Sequence, residues 1–114
     1  MILTTQYRVD IQNISFEVLN SEVLLRIFMQ KIIESADLTV LSSYFHAFSP
    51  QGITGVFILS ESHFCVHTWP EAGYAIFDLL SCTDEQKTLG TLEIFKQEFW
   101  EENIQIKVHS NIVG

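Results

Sequence analysis

Between Thr39 and Cys82 four apolar, strand-like segments follow one another with only turns between them, and this block restricts the fold more than any other feature of the chain. In Thr39 to Phe48, Tyr44, His46 and Phe48 share one face, and Ser49-Pro50-Gln51-Gly52 then forces a reversal. Gly55 to Ser60 and Phe64 to Thr68 are separated by Glu61-Ser62-His63, about the length of a hairpin connection. Pro70 and Gly73 mark the next reversal, before the nearly continuous apolar run from Tyr74 to Cys82, which carries Asp78 inside it.

The flanks read differently. Tyr7, Val9 and Ile11 alternate with Arg8, Asp10 and Gln12, as in a strand with one buried face. From Ser21 to Ala36, polar Glu22, Arg26, Gln30 and Glu34 oppose Leu24, Leu25, Phe28, Met29, Ile32 and Ile33, which predicts an amphipathic helix capped by Asn20 or Ser21. Thr83 with Gln86 reads as a capping box for a second helix, whose inner face is Leu89, Leu92, Phe95 and Phe99 and which ends near Trp100. Ile104, Ile106 and Val108 alternate in a last strand. Sheet-forming segments grouped in this way predict a two-layer α+β fold, an antiparallel β-sheet covered on one face by two α-helices. With 114 residues, no repeats and no linker, residues 1–114 are read as a single domain.

Composition narrows the partners. Hydrophobic residues are 47% and charged residues 18% of the chain, so some apolar surface is expected to lie against a second copy, most simply in a two-fold homodimer. The net charge of −8 disfavours nucleic acid and anionic membranes and suits a cationic small molecule. Two cysteines are too few for a disulfide framework. With no basic-then-apolar leader and no membrane-length run, a cytoplasmic protein is expected.

On the Phe64–Thr68 segment, Cys65, His67 and Trp69 fall on one face and Phe64, Val66 and Thr68 on the other. Ser62 lies in the adjacent tip, near enough in sequence for its hydroxyl to approach the His67 imidazole, and Cys82 comes from the next long strand. A Ser, His and Cys can converge here. The same residues also read as a turn hydroxyl, a strand histidine with a satisfied hydrogen bond and a small buried hydrophobe. His63 and His67 with Cys65 or Cys82 have no recognised metal spacing, so no metal is expected.

The run Phe48-Ser-Pro-Gln-Gly-Ile-Thr-Gly55, then Leu59-Ser-Glu-Ser-His63, then His67-Thr-Trp-Pro-Glu71 with Gly73-Tyr74, resembles the prokaryotic S-adenosylmethionine decarboxylase proenzymes over about a third of the chain. The resemblance implies a pyruvoyl-dependent lyase made by autocatalytic serinolysis at Glu61-Ser62, giving residues 1–61 (β chain) and 62–114 (α chain). Its covalent cofactor would be a pyruvoyl group derived from Ser62, which forms a Schiff base with the substrate amine. Such a group is needed because no ordinary side chain takes up electrons from a departing carboxylate. By the same resemblance His67 is the processing base, Thr54 stands where a processing serine is usual, and Cys82 returns a proton to the substrate. Phe48, Trp69 and Glu71 would position S-adenosylmethionine through the adenine or sulfonium and the ribose hydroxyls. The product would be the aminopropyl donor of polyamine synthesis.

The chain departs from the family pattern in lacking Gly-x-His near its start, in having Thr83 after Cys82 where glycine is usual, and in having Ala72 in place of a frequent aromatic. These departures leave two alternatives. One is a pyruvoyl-dependent arginine or ornithine decarboxylase of the same fold. The other is an uncleaved, non-catalytic homologue that acts as a binding or regulatory subunit.

Overall fold

The computed structural model describes residues 2–82 and 85–113, and in it the grouped strands become one six-stranded antiparallel sheet. In chain order the strands are β1 (Ile2–Ile11), β2 (Val40–Ala47), β3 (Ile53–Leu59), β4 (Ser62–Trp69), β5 (Tyr74–Ser81) and β6 (Ile104–Val113). The helices are α1 (Phe16–Leu19), α2 (Glu22–Ser35) and α3 (Glu85–Glu98). The sheet order is β2-β3-β4-β5-β1-β6, so the four grouped strands form a meander and the two terminal strands complete one side.

Alternation decides which face is core. Tyr7, Val9 and Ile11 of β1, Ile53, Phe57 and Leu59 of β3, Phe64 and Val66 of β4, and Ala75, Phe77 and Leu79 of β5 are all buried. They pack with Leu25, Met29, Ile32 and Ile33 of α2 and with Leu92 and Phe95 of α3 in one continuous core. At its centre, Phe28 and Phe95 meet the Phe77 ring edge-to-face at 5.5 and 5.1 Å. Gly55 is required here, because a Cβ would stand 2.3 Å from the Phe45 ring that crosses over it.

Ser21 caps α2 as its sequence predicts, its hydroxyl accepting from the Leu24 N–H at 3.2 Å. Three expected inward positions fail: Leu24 is 47%, Leu89 50% and Val108 of β6 53% exposed, and Thr91 is buried on the inner side of α3 instead. Both leucines lie one step outside the stripe that faces the sheet, where periodicity is least decisive. The short α1, with its Ser15 cap, went unpredicted because four residues carry no helical period. The expected Thr83–Gln86 capping box lies outside the described residues. The longest helices have 14 residues, and among the described residues none is long and apolar enough to cross a membrane.

Opposite the helices the sheet is bare. Val56, Cys65, Ile76, Asp78 and Leu80 are half-buried there by their neighbours alone, and Ile58 is exposed.

Candidate functional site

The tip between β3 and β4 is tighter than its sequence suggests. Leu59 pairs directly with Ser62, which leaves a two-residue turn of Ser60 and Glu61 and makes Ser62 the first residue of β4. Glu61 takes φ +63°, a left-handed conformation that costs a residue with a Cβ about 1–2 kcal/mol. The chain leaving β5 returns to this turn, and the Cys82 thiol donates to the Glu61 carbonyl oxygen at 3.2 Å. The Ser62 hydroxyl points back to the Ser60 carbonyl at 3.5 Å. A hydroxyl, a strained peptide and a thiol on that peptide's oxygen are thus gathered in one place.

At the other end of the same hairpin, Thr54 of β3 lies opposite His67 of β4, and the Thr54 hydroxyl and His67 Nδ1 are 3.0 Å apart. They line a pocket of about 310 Å³ together with Phe48, Gln51, Gly52, Thr68, Trp69 and Glu71. Phe48 arrives from the end of β2, with the His46 ring edge-on to it at 4.6 Å. Glu71 sits on the 3-10 turn Pro70–Ala72 after β4 and accepts from Gln51 Nε2 at 3.3 Å.

Buried bonds hold this end together. The Thr68 hydroxyl donates to the Leu19 carbonyl at 2.8 Å and accepts from the Ile53 N–H at 2.9 Å, tying β4 to β3 and α1. Asn20 Oδ1 accepts from the Gly52 N–H at 3.0 Å, anchoring the turn that carries Gln51.

The eight residues named from the sequence therefore form two groups. Thr54, His67, Phe48, Trp69 and Glu71 share the pocket, while Glu61, Ser62 and Cys82 share the tip. The expected approach of Ser62 to His67 does not occur within one chain. Five steps of extended strand separate them, roughly 17 Å at the usual rise, and alternation puts Ser62 on the helix side and His67 on the bare side. Closeness in sequence misled because a strand is the least compact path between two residues.

The bare face also carries polar contacts that no sequence pattern predicts. His63 Nε2 lies 3.2 Å from Asp78 Oδ2, and Asp78 Oδ1 accepts from Gln6 Nε2 at 2.9 Å. Cys65 beside them is half-buried, and that burial, with the Asp78 charge, pushes its thiol up from the ordinary value. Gln51 lines the pocket without having been expected there, although it lies in the recognised Ser-Pro-Gln-Gly turn, and His46 reaches it only through the Phe48 ring. Among the described residues, no three His, Cys, Asp or Glu side chains gather as a metal-binding set.

Comparison with known proteins adds an independent line. The family model for S-adenosylmethionine decarboxylase matches residues 5–111 of this chain. A proenzyme of that name from Sulfurihydrogenibium is 39% identical over 84 residues, 74% of this chain and 63% of the relative, so the match spans less than two thirds of that protein's length. One from Persephonella marina is 36% identical over 99 residues, 87% of this chain and 74% of the relative. Among solved structures, the adenosylmethionine decarboxylase of Aquifex aeolicus superposes with a TM-score of 0.83 at 28% identity, covering 95% of this chain and 89% of that one.

Proposed function

This chain belongs to the S-adenosylmethionine decarboxylase family, and we propose that it is a proenzyme that severs itself between Glu61 and Ser62 and then decarboxylates S-adenosylmethionine, supplying an aminopropyl donor for polyamine synthesis. The observation that carries this reading is the tip itself: the residue before Ser62 is held at positive φ with its carbonyl oxygen on a thiol.

The chemistry follows from those atoms. Attack of the Ser62 hydroxyl on the Glu61 carbonyl carbon forms an ester bond and breaks the peptide C–N bond, passing through a state with negative charge on the Glu61 oxygen. The Cys82 thiol already donates to that oxygen, so the charge develops against a donor in place. Strain at Glu61 is released when the bond breaks. A base must then take the Cα proton of residue 62 so that the ester leaves as a carboxylate, and His67, held by Thr54, is the base this reading assigns. The residues at the tip therefore fit a pyruvoyl group built from Ser62 once water has displaced the nitrogen of residue 62 as ammonia, and the chemical contribution of that group would be an electron sink for the departing carboxylate. Cys82, freed from the Glu61 oxygen by the cut, is left at the tip as a proton donor. In the pocket, Glu71 accepts from ribose hydroxyls while Phe48 and Trp69 offer ring faces to the adenine or the cationic sulfonium.

The tip and the pocket work together only if two chains combine. A two-fold axis lying across the strands stacks two bare faces and sets the tip of each chain over the pocket of the other, completing two sites at once. Apolar Val56, Ile58, Ile76 and Leu80 on that face support such a pairing. The active species proposed is thus a homodimer of processed αβ protomers. Its net charge of −8 suits a cationic substrate rather than nucleic acid or membrane, and its free Cys65 and Cys82 suit the reducing cytoplasm.

Intact mass spectrometry of the purified protein tests the cut: two fragments divided at residue 62, the second lacking a free amine, are expected, and Ser62→Ala should remain whole and inactive. Carbon dioxide release from S-adenosylmethionine, arginine and ornithine then tests the substrate. Release from arginine or ornithine alone would replace this reading with that of a basic amino-acid decarboxylase, and a stable uncut chain would leave a binding subunit.

A further inference from the structure

Trp69 is the last residue of β4 and is 40% exposed, so the core does not fix its ring. A free indole would have to be ordered each time a ligand entered the pocket it lines, and that entropy would weaken binding. Its ring is nonetheless held. Trp69 lies opposite Tyr74 of β5, and the two rings stack with centroids 5.4 Å apart and planes 28° from parallel. Tyr74 is fixed in turn from β1, its hydroxyl donating to Asp10 Oδ2 across a diagonal of the sheet. Asp10 is fixed by a two-pronged contact from Arg8, with Nε to Oδ1 at 2.7 Å and Nη2 to Oδ2 at 3.0 Å.

We infer that Tyr74, clamped by Asp10 and Arg8, is a positioning residue that holds Trp69 as a preset wall of the substrate pocket. Strands β1, β5 and β4 are neighbours in the sheet, so the clamp runs unbroken from Arg8 to the pocket. Tyr74 stacks on Trp69 from β5, and the His67 ring lies 6.5 Å from it at 38° on β4, so the indole lines the pocket between two held rings. The protonation states agree with this role: the Arg8 hydrogen bonds hold the Asp10 carboxyl below its ordinary value, and the bond to Asp10 pushes the Tyr74 phenol up. Acceptor and donor both persist at neutral pH.

The inference rests on Trp69 facing the substrate, and its test separates the two ideas. In a Trp100→Phe background Trp69 is the sole tryptophan, and its near-ultraviolet circular dichroism reports ring order. Tyr74→Phe, which keeps the ring and loses the bond to Asp10, should weaken that signal and raise KM for S-adenosylmethionine about threefold. Tyr74→Leu, which also removes the stack, should raise KM about tenfold, with kcat changed less than about twofold in both variants. An unchanged Trp69 signal and KM in both, while Trp69→Ala raises KM, would overturn the clamp alone. A kcat loss that tracks a lower melting midpoint would also overturn it, by reducing Tyr74 to scaffold. If Trp69→Ala leaves KM unchanged, the placement of Trp69 against substrate fails and the clamp fails with it.

Discussion

Two inactive variants should restore one another. Ser62→Ala removes the tip nucleophile and His67→Ala removes the pocket base, and the two residues are five strand positions apart on opposite faces of β4. If sites form across a two-fold axis, a dimer of one variant with the other has one site with both defects and one with neither. Co-expression under different affinity tags, followed by purification through both, isolates this mixed dimer. It should show about half the wild-type activity per dimer, with the His67→Ala chain cut and the Ser62→Ala chain whole. Without tag selection, random pairing makes half the dimers mixed, so about a quarter of wild-type sites should be active. Carbon dioxide release measures the first quantity and intact mass the second. If each site were instead built within one chain, every site in the mixed dimer would carry one defect. A mixed dimer with no activity and no cut chain would refute the shared site and the geometry behind it.

Three further outcomes follow. Cys82→Ala should slow self-cleavage about 10- to 100-fold, since a donor aimed at the developing charge is lost, and the fraction cut against time after expression measures it; cleavage at the parent rate would free Cys82 of any part in processing. In an uncleavable Ser62→Ala background, Glu61→Gly should raise unfolding stability by about 1 kcal/mol, because glycine adopts φ +63° without a Cβ clash, and urea unfolding would show no gain if the turn were relaxed. Asp10→Asn should lower the melting midpoint at neutral pH by an amount that shrinks in acid. The folded carboxyl titrates below its unfolded value of about 3.9, so its stabilisation is complete above that pH and lost as pH falls through the folded value. A gap between wild type and variant that stays constant from pH 7 to pH 3 would contradict this.

Much of this was legible in one dimension. Two-residue alternation at Tyr7, Val9 and Ile11 and at Phe64, Val66 and Thr68 marks the buried face, because successive side chains of a strand leave on opposite sides. The four-residue recurrence after Ser21 marks α2 for the equivalent helical reason. Short turns between strands dictate antiparallel neighbours, and the motif residues name the chemistry before any contact is known. Leu24 and Leu89 were misread because a hydrophobic stripe has soft edges, and α1 was missed because one turn shows no period.

What the sequence by itself determined, then, is the kind and order of the longer elements, the inner face of β1, β4 and most of α2, and the residues with chemical potential. Only the tertiary structure decided which of those residues meet. Register set Thr54 against His67, the return of the chain after β5 put Cys82 on the Glu61 oxygen, and the extended path of β4 kept Ser62 away from His67. The order of strands brought Arg8 and Asp10, more than sixty residues distant, to the ring that braces Trp69. Local patterns follow from the geometry of a few bonds, whereas such meetings depend on how strands pair across the whole chain, which no short window of sequence contains.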